Sequence, residues 1–101
     1  MVLIVGGEAS GKAAYARSLG FADEDILYNL HEYIIAGNAP DLDELYKMRV
    51  ITCNEVGCGI IPADKREREL RENIGRFCCK LAERAERVVR MTSGIPVTIK
   101  G

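Results

Sequence analysis

The residues with the clearest chemistry lie in a glycine-rich loop, residues 6–13, whose first seven letters read G-G-E-A-S-G-K. The pattern G-x-x-x-x-G-K between a strand and a helix is typical of a phosphate-binding loop. Glycines let the backbone approach a phosphate, several N–H groups point inward, and the helix N-terminus adds positive potential. The candidate phosphate-binding residues are Gly6, Gly7, Glu8, Ala9, Ser10, Gly11, Lys12 and Ala13.

Lys12 is the first candidate catalytic residue, because a lysine at this position reaches the outer phosphates as a mobile point charge. The next position is Ala13, where the pattern has a Ser or Thr whose hydroxyl binds Mg²⁺. We expect the Ser10 hydroxyl to face the phosphates before it faces a magnesium ion. Mg²⁺ therefore stays an open expectation, and no metal ligand of the protein is assigned.

Two further side chains need an interpretation. Glu55 directly follows an apolar run and opens a glycine-bearing loop. At the end of a strand, its carboxylate could hold Mg²⁺, directly or through water, or orient an attacking hydroxyl; the alternative is a loop carboxylate bonded to neighbouring N–H groups. His31 is the single histidine, and we expect an ordinary, partly buried side chain, because a nucleophilic histidine needs a phosphate in reach and an orienting partner.

The composition limits the class of protein. A chain of 101 residues, 48% apolar and 29% charged, predicts one globular domain over residues 1–101. The net charge of −1 provides no field that favours nucleic acid or an anionic membrane. The apolar runs are too short to span a bilayer. Because the chain begins directly with a buried-type strand, we expect no signal peptide and a cytoplasmic location.

The four cysteines are Cys53, Cys58, Cys78 and Cys79. A zinc site favours paired ligands at C-x-x-C spacing. Here four residues separate Cys53 from Cys58, and Cys78 and Cys79 are adjacent. We expect free thiols that pack as small hydrophobic residues. Cys78 and Cys79 both suit the core side of a predicted helix. A metal site or a disulfide is the alternative.

Hydrophobic patterning predicts alternating strands and helices. Strands are predicted at 2–5, 26–30, 49–53 and 88–92, with a last extended segment at 97–100; a helix through 33–35 is the alternative for the second strand. Three helices are predicted. The first covers 11–19 and is ended by Gly20, and the other two begin after Asp41 and after Asp64. Glu44 and Glu67 would complete capping boxes with these two aspartates. The long helix has an apolar stripe from Leu70 to Ala85 and an Arg/Glu face that we expect to be solvated.

This order predicts an α/β fold, with a small, mostly parallel sheet and helices on both faces. Ligands of such sheets bind at the carboxyl ends of the strands. That edge would bring together the glycine-rich loop, the loop 54–59 and the turn 93–96. Three glycine-bearing loops at one edge indicate a binding site.

Three segments resemble a known family: G-G-E-A-S-G-K, I-T-C-N-E-V-G-C-G-I-I-P and S-G-I-P-V-T-I-K. The chain resembles the adenosylcobinamide kinase/adenosylcobinamide-phosphate guanylyltransferases of cobalamin biosynthesis. The resemblance implies a RecA-like P-loop NTPase fold, with GTP or ATP and adenosylcobinamide as partners, and a possible homo-oligomer. Two reactions are implied: phosphorylation of adenosylcobinamide, and transfer of GMP through a guanylylated histidine. Gly6–Lys12 would hold the GTP phosphates, and Glu55 would belong to the active-site loop.

The chain also departs from the family pattern. It lacks the segment between the first helix and the N-E-V-G strand that normally bears the guanylylated histidine, to which His31 does not correspond. The family's Walker-B-like Asp falls at Tyr28 or Asn29. Kinase-type phosphoryl transfer is therefore favoured over guanylyl transfer. The alternatives are a catalytically silent nucleotide-binding or regulatory module derived from the family, and an unrelated small P-loop kinase.

Overall fold

A computed structural model describes residues 1–55 and 64–101 of the chain. Its strands are β1 (Val2–Gly6), β2 (Ile26–Leu27), β3 (Val50–Asn54), β4 (Arg87–Thr92) and β5 (Ile95–Lys100). Its α-helices are α1 (Lys12–Ser18), α2 (Leu30–Ile35), α3 (Leu42–Tyr46) and α4 (Lys65–Arg84), and a 3₁₀ turn covers Asp23–Asp25. Most of the predicted loop 54–62, including Cys58, lies outside the described residues.

The strands form one sheet in the order β2-β3-β1-β4-β5. β1 is parallel to both β3 and β4, and only β5 is antiparallel, to β4. The last extended segment is thus the second strand of a hairpin. Its turn residues Ser93 and Gly94 both have positive φ, 49° and 77°, as a type I′ hairpin turn requires. The predicted α/β class with a mostly parallel sheet is confirmed.

The sheet buries side chains on both faces. One face of β1 presents Leu3 to a core formed with α2, α3 and α4, and the other presents Ile4 to a core formed with α1. Leu81 of α4 is fully buried in the first core, and Ala16 of α1 in the second. Because alternate residues of a strand face opposite sides, burial on both faces explains the uninterrupted apolar run 2–5. The predicted placement of helices on both faces is confirmed.

The second predicted strand is only partly right. β2 ends at Leu27, and the alternative helix through 33–35 is confirmed, because α2 begins at Leu30. Asn29 has a left-handed φ of 58° that ends the extended backbone. Its N–H donates to the Thr52 hydroxyl on β3 at 2.8 Å. The chain therefore turns at the end of β2 and enters a helix beside the end of β3.

The helix caps are half right. The carboxylates of Asp41 and Asp64 accept hydrogen bonds from backbone N–H groups, as N-caps do. The reciprocal bonds of the predicted capping boxes are wrong, since Glu44 pairs with Lys47 at 3.2 Å and Glu67 pairs with the side chain four residues on at 3.5 Å. These side chains take the exposed i,i+3 and i,i+4 partners of their own helices instead.

Two of the cysteines pack as predicted. Cys53 is buried, and the partly buried Cys78 packs against the same core. A hydrogen bond with Cys78, together with burial, raises the pKa of the Cys53 thiol, so this sulfur stays protonated. The prediction that Cys79 suits the core is wrong, because one helical step turns it out of the stripe and leaves it exposed.

Among the helices that the structure describes, none combines the length and the apolar character that a membrane span needs.

Candidate functional site

The glycine-rich loop joins β1 to α1 through two left-handed kinks. Ala9 has φ 55° and Gly11 has φ 93°. Glycine adopts such a φ freely, whereas for Ala9 it costs about 1–2 kcal/mol. Left-handed kinks within a turn direct successive N–H groups to one side, which forms a concave anion-binding surface called a nest. Strain at a non-glycine residue of this kind is concentrated at functional sites.

The start of the loop is packed tightly under the end of β1. A Cβ atom on Gly6 would lie 2.7 Å from the Met91 carbonyl oxygen and 2.7 Å from Ser10 Oγ. The hairpin turn braces the other side, since the Gly94 N–H donates to the Ser10 carbonyl at 3.0 Å. The structure therefore confirms that the glycine-rich loop and the turn 93–96 meet at the carboxyl edge of the sheet.

The Ser10 hydroxyl has no hydrogen-bond partner within residues 1–55 and 64–101, although its oxygen is completely buried. Leaving a buried hydroxyl unpaired costs about 1–3 kcal/mol. The oxygen lies inside the loop beside Gly6 rather than open to solvent. Because Ser10 also lines an open cleft, a ligand bound there that accepts hydrogen bonds would satisfy this hydroxyl.

Lys12 is folded back over the loop. Its Nζ donates to the Gly7 carbonyl at 2.6 Å, and the residue is only 6% exposed. Burial lowers the pKa of its ammonium below the ordinary value, and the nearby Glu8 carboxylate opposes that shift. A buried ammonium held by one neutral carbonyl is favourably placed to bind an anion.

A cleft of about 430 Å³ opens above the loop. One wall is the loop and the first turn of α1, and the other wall comes from α2 and the end of β3. The lining residues are Glu8, Ala9, Ser10, Gly11, Lys12, Ala13, Ala14, Asn29, His31, Glu32 and Asn54. The wall formed by Asn29, His31 and Glu32 was not predicted from the sequence. The signal that could have revealed this wall was the alternative helix through 33–35, because the first turn of α2 lies beside the glycine-rich loop.

His31 is held in that second wall. The Asn54 N–H donates to its Nδ1 at 2.9 Å, and the residue is 6% exposed. Burial lowers the pKa of the imidazole; Lys12 adds to this shift, while Glu32 and Glu8 oppose it. His31 is therefore more buried and more fixed than the partly buried side chain that the sequence predicted.

Glu55 lies elsewhere. Its N–H donates to the Gly6 carbonyl at 2.8 Å, which ties it to the end of β1. Its carboxylate pairs with the Arg90 guanidinium at 3.1 Å and faces a separate apolar groove beside Cys78 and Ile99. The structure does not bring this carboxylate into the cleft of Lys12. A structural carboxylate, the alternative from the sequence, fits the placement better, although its partner is an arginine rather than backbone N–H groups.

The hydrogen-bond donors of the cleft suit an anion. The loop offers backbone N–H groups, the Lys12 ammonium and the Ser10 hydroxyl, whereas the side chain of Ala13 has no oxygen; the carboxylates of Glu8 and Glu32 also line the cleft. In the part of the chain that the structure describes, no three His, Cys, Asp or Glu side chains gather as a metal site. Tyr28 and Asn29, which directly follow β2, carry no carboxylate.

Comparison with known proteins identifies the family. The family model described as cobinamide kinase / cobinamide phosphate guanyltransferase, CobU, matches residues 38–99, more than half of the chain. The chain belongs to this family. It is also 43% identical over 51 residues to the bifunctional adenosylcobalamin biosynthesis protein CobU of Salmonella typhimurium strain LT2. That match covers 50% of this chain and 28% of the relative, so the chain spans well under half of the relative's length.

Within this CobU-family chain, the matched range contains β3, α4 and the hairpin of β4 and β5. The glycine-rich loop precedes it. The matched part therefore supplies the Asn54 N–H that holds His31 and the turn that braces Ser10. Family membership also confirms the P-loop NTPase architecture that the resemblance implied.

We expect Gly6→Ala to destabilise the fold by about 1–3 kcal/mol, because its Cβ would overlap the backbone oxygen of Met91. Gly7→Ala is the matched control, since no heavy atom lies within 4 Å of its added Cβ and its φ is not positive. Urea unfolding of the two variants measures the difference. Equal midpoints for both would show that β1 does not pack against the loop in this way.

The lowered pKa of His31 predicts a pH-dependent stability. Because the unfolded imidazole gains a proton near pH 6.5 and the folded one only at lower pH, the free energy of unfolding should fall as the pH drops from 7.5 to 5.5. The slope is at most about 1.4 kcal/mol per pH unit for one proton. His31→Asn, which does not titrate, should remove this slope in urea unfolding at several pH values. The same slope in both proteins would contradict the assignment.

Proposed function

We propose that the chain binds a nucleoside triphosphate, GTP or ATP, in the cleft and transfers its terminal phosphoryl group to adenosylcobinamide. The observation that carries the proposal is the donor set of the glycine-rich loop, in which a buried lysine and an orphaned serine hydroxyl share one anion-binding concavity. Membership of the CobU family supplies the acceptor. Cobalamin biosynthesis is the corresponding pathway, and a cytoplasmic location and a homo-oligomer belong to the same proposal.

The mechanism follows from the residues of the loop. The phosphate chain accepts hydrogen bonds from the backbone N–H groups of the nest and from the Ser10 hydroxyl. Lys12 exchanges its bond with the Gly7 carbonyl for a bond to a phosphate oxygen. The ammonium then pairs with a negative charge instead of a neutral carbonyl. As negative charge spreads over the transferred group, this ammonium stabilises it.

Mg²⁺ commonly accompanies a nucleoside triphosphate and neutralises its charge. The two usual positions offer no ligand, because Ala13 lacks a hydroxyl and Tyr28, which follows β2, has no carboxylate. We therefore derive no step through a protein-bound metal. Charge stabilisation by the chain itself rests on Lys12 and the hydrogen-bond donors of the loop.

Phosphoryl transfer fits this chain better than guanylyl transfer. A guanylylated histidine requires an imidazole nitrogen with a free lone pair. The single histidine is His31, whose Nδ1 lone pair already accepts the Asn54 N–H. Transfer of a phosphoryl group directly to an acceptor hydroxyl needs no such nucleophile.

A catalytically silent nucleotide-binding module is the second candidate. It is favoured by Ala13 and by the pairing of Glu55 with Arg90 outside the cleft. Incubation with adenosylcobinamide and γ-labelled ATP or GTP separates the two. Labelled cobinamide phosphate above the no-protein background supports the transferase, whereas saturable nucleotide binding without product supports the module.

We expect Lys12→Gln to weaken triphosphate binding by about 10- to 100-fold, because a charged hydrogen bond contributes about 1.5–3 kcal/mol. Lys80→Gln is the control: it removes the same charge from an exposed position on α4. Titration calorimetry with ATP and GTP measures both. Equal affinities for the two variants would place the nucleotide elsewhere, and no binding of either nucleotide to the unmodified chain at millimolar concentration would refute the proposal.

A further inference from the structure

The interaction between His31 and Asn54 determines which imidazole nitrogen carries the proton. A backbone N–H can only donate, so the 2.9 Å bond from Asn54 makes Nδ1 an acceptor. A neutral imidazole with an unprotonated Nδ1 has its hydrogen on Nε2. His31 is therefore held as the Nε2–H tautomer, with a hydrogen-bond donor at the far end of the ring.

His31 belongs to the wall of the cleft. The residue lines the cleft together with Lys12 and Ser10. Its Nε2 makes no hydrogen bond to any residue within 1–55 and 64–101. The carboxylates of Glu8 and Glu32 act electrostatically on the ring, as does the ammonium of Lys12, without hydrogen bonding to it. The ring thus offers one fixed N–H for a ligand.

We infer that the Nε2–H of His31 donates a hydrogen bond to a phosphate oxygen of the bound nucleoside triphosphate, from the wall opposite the glycine-rich loop. The inference rests on the proposed function and adds a binding residue to it. Lys12 and the loop bind the phosphates from one side, and His31 donates its hydrogen bond from the other. Its neutral ring adds a donor without adding a second buried positive charge beside Lys12.

The lowered pKa of His31 agrees with this arrangement. Protonation at Nδ1 would place two donors face to face and break the bond from Asn54. Burial and the ammonium of Lys12 disfavour the imidazolium, while Glu32 and Glu8 favour it. While Nε2 carries the hydrogen, it has no free lone pair and is not a nucleophile.

Two isosteric variants separate the two ends of the ring. In His31→Asn the amide oxygen can replace Nδ1 and accept from Asn54, but the Nε2 donor is lost. In His31→Gln the amide N–H₂ can replace the Nε2 donor, while the bond to Asn54 is lost. We expect His31→Asn to weaken ATP and GTP binding about tenfold or more, as for a lost hydrogen bond to a charged group. His31→Gln, which keeps a donor at that end, should retain most of the affinity of the unmodified chain.

The nucleoside is the matched ligand control. Adenosine and guanosine carry no phosphate, so His31→Asn should leave their binding unchanged. A loss of affinity that is equal for nucleoside and triphosphate would overturn the inference, because a general structural effect would then explain it. An unchanged affinity for the triphosphate would overturn it as well.

A measurement on the unmodified chain does not depend on how the variants fold. Because the chain has one histidine, its imidazole nitrogen signals in a ¹⁵N NMR spectrum are unambiguous. We expect the Nε2–H tautomer before and after addition of ATP, with the Nε2 signal moving on binding and a smaller shift with adenosine. If ATP binds and Nε2 does not move, the inference fails while the proposed function stands. If ATP does not bind, both fail.

Discussion

The parallel pairing of β1 between β3 and β4 is the constraint on which the site depends. Its register places Gly6, Asn54 and Met91 side by side at one level of the sheet. The glycine-rich loop starts at the first of these residues, His31 is held by the second, and the third sets the close contact that only glycine permits. A shift of one residue in either pairing would move Asn54 or Met91 away from the level of Gly6.

The glycine-rich loop that results is rich in hydrogen-bond donors. Left-handed kinks at Ala9 and Gly11 present backbone N–H groups, and the side chains of Ser10 and Lys12 add two more donors. His31 faces them from the other wall. These groups remain buried and incompletely paired, which costs stability that the bound anion would return. The chain thus has a surface suited to a polyphosphate.

Local chemistry made much of this predictable. The G-x-x-x-x-G-K spacing predicted the loop between β1 and α1, and alternating elements predicted the parallel sheet with helices on both faces. Long-range contacts were not predictable in the same way. The short apolar segment 26–30 satisfies a strand and a helix equally, and the Asn29–Thr52 bond decides between them. The pairing of Glu55 with Arg90 likewise depends on β4, which is distant in sequence.

The central claim is that the glycine-rich loop binds the phosphates of a nucleoside triphosphate. Amide ¹H–¹⁵N NMR shifts of the unmodified chain, followed during titration with GTP and ATP, test it most directly. We expect saturable shifts that are largest for the N–H groups of residues 8–13. Smaller shifts are expected at Asn54, which bonds to His31, and at Gly94, which bonds to Ser10 in the loop. Saturable shifts concentrated elsewhere, for example along α4, or no saturable shifts at all, would contradict it.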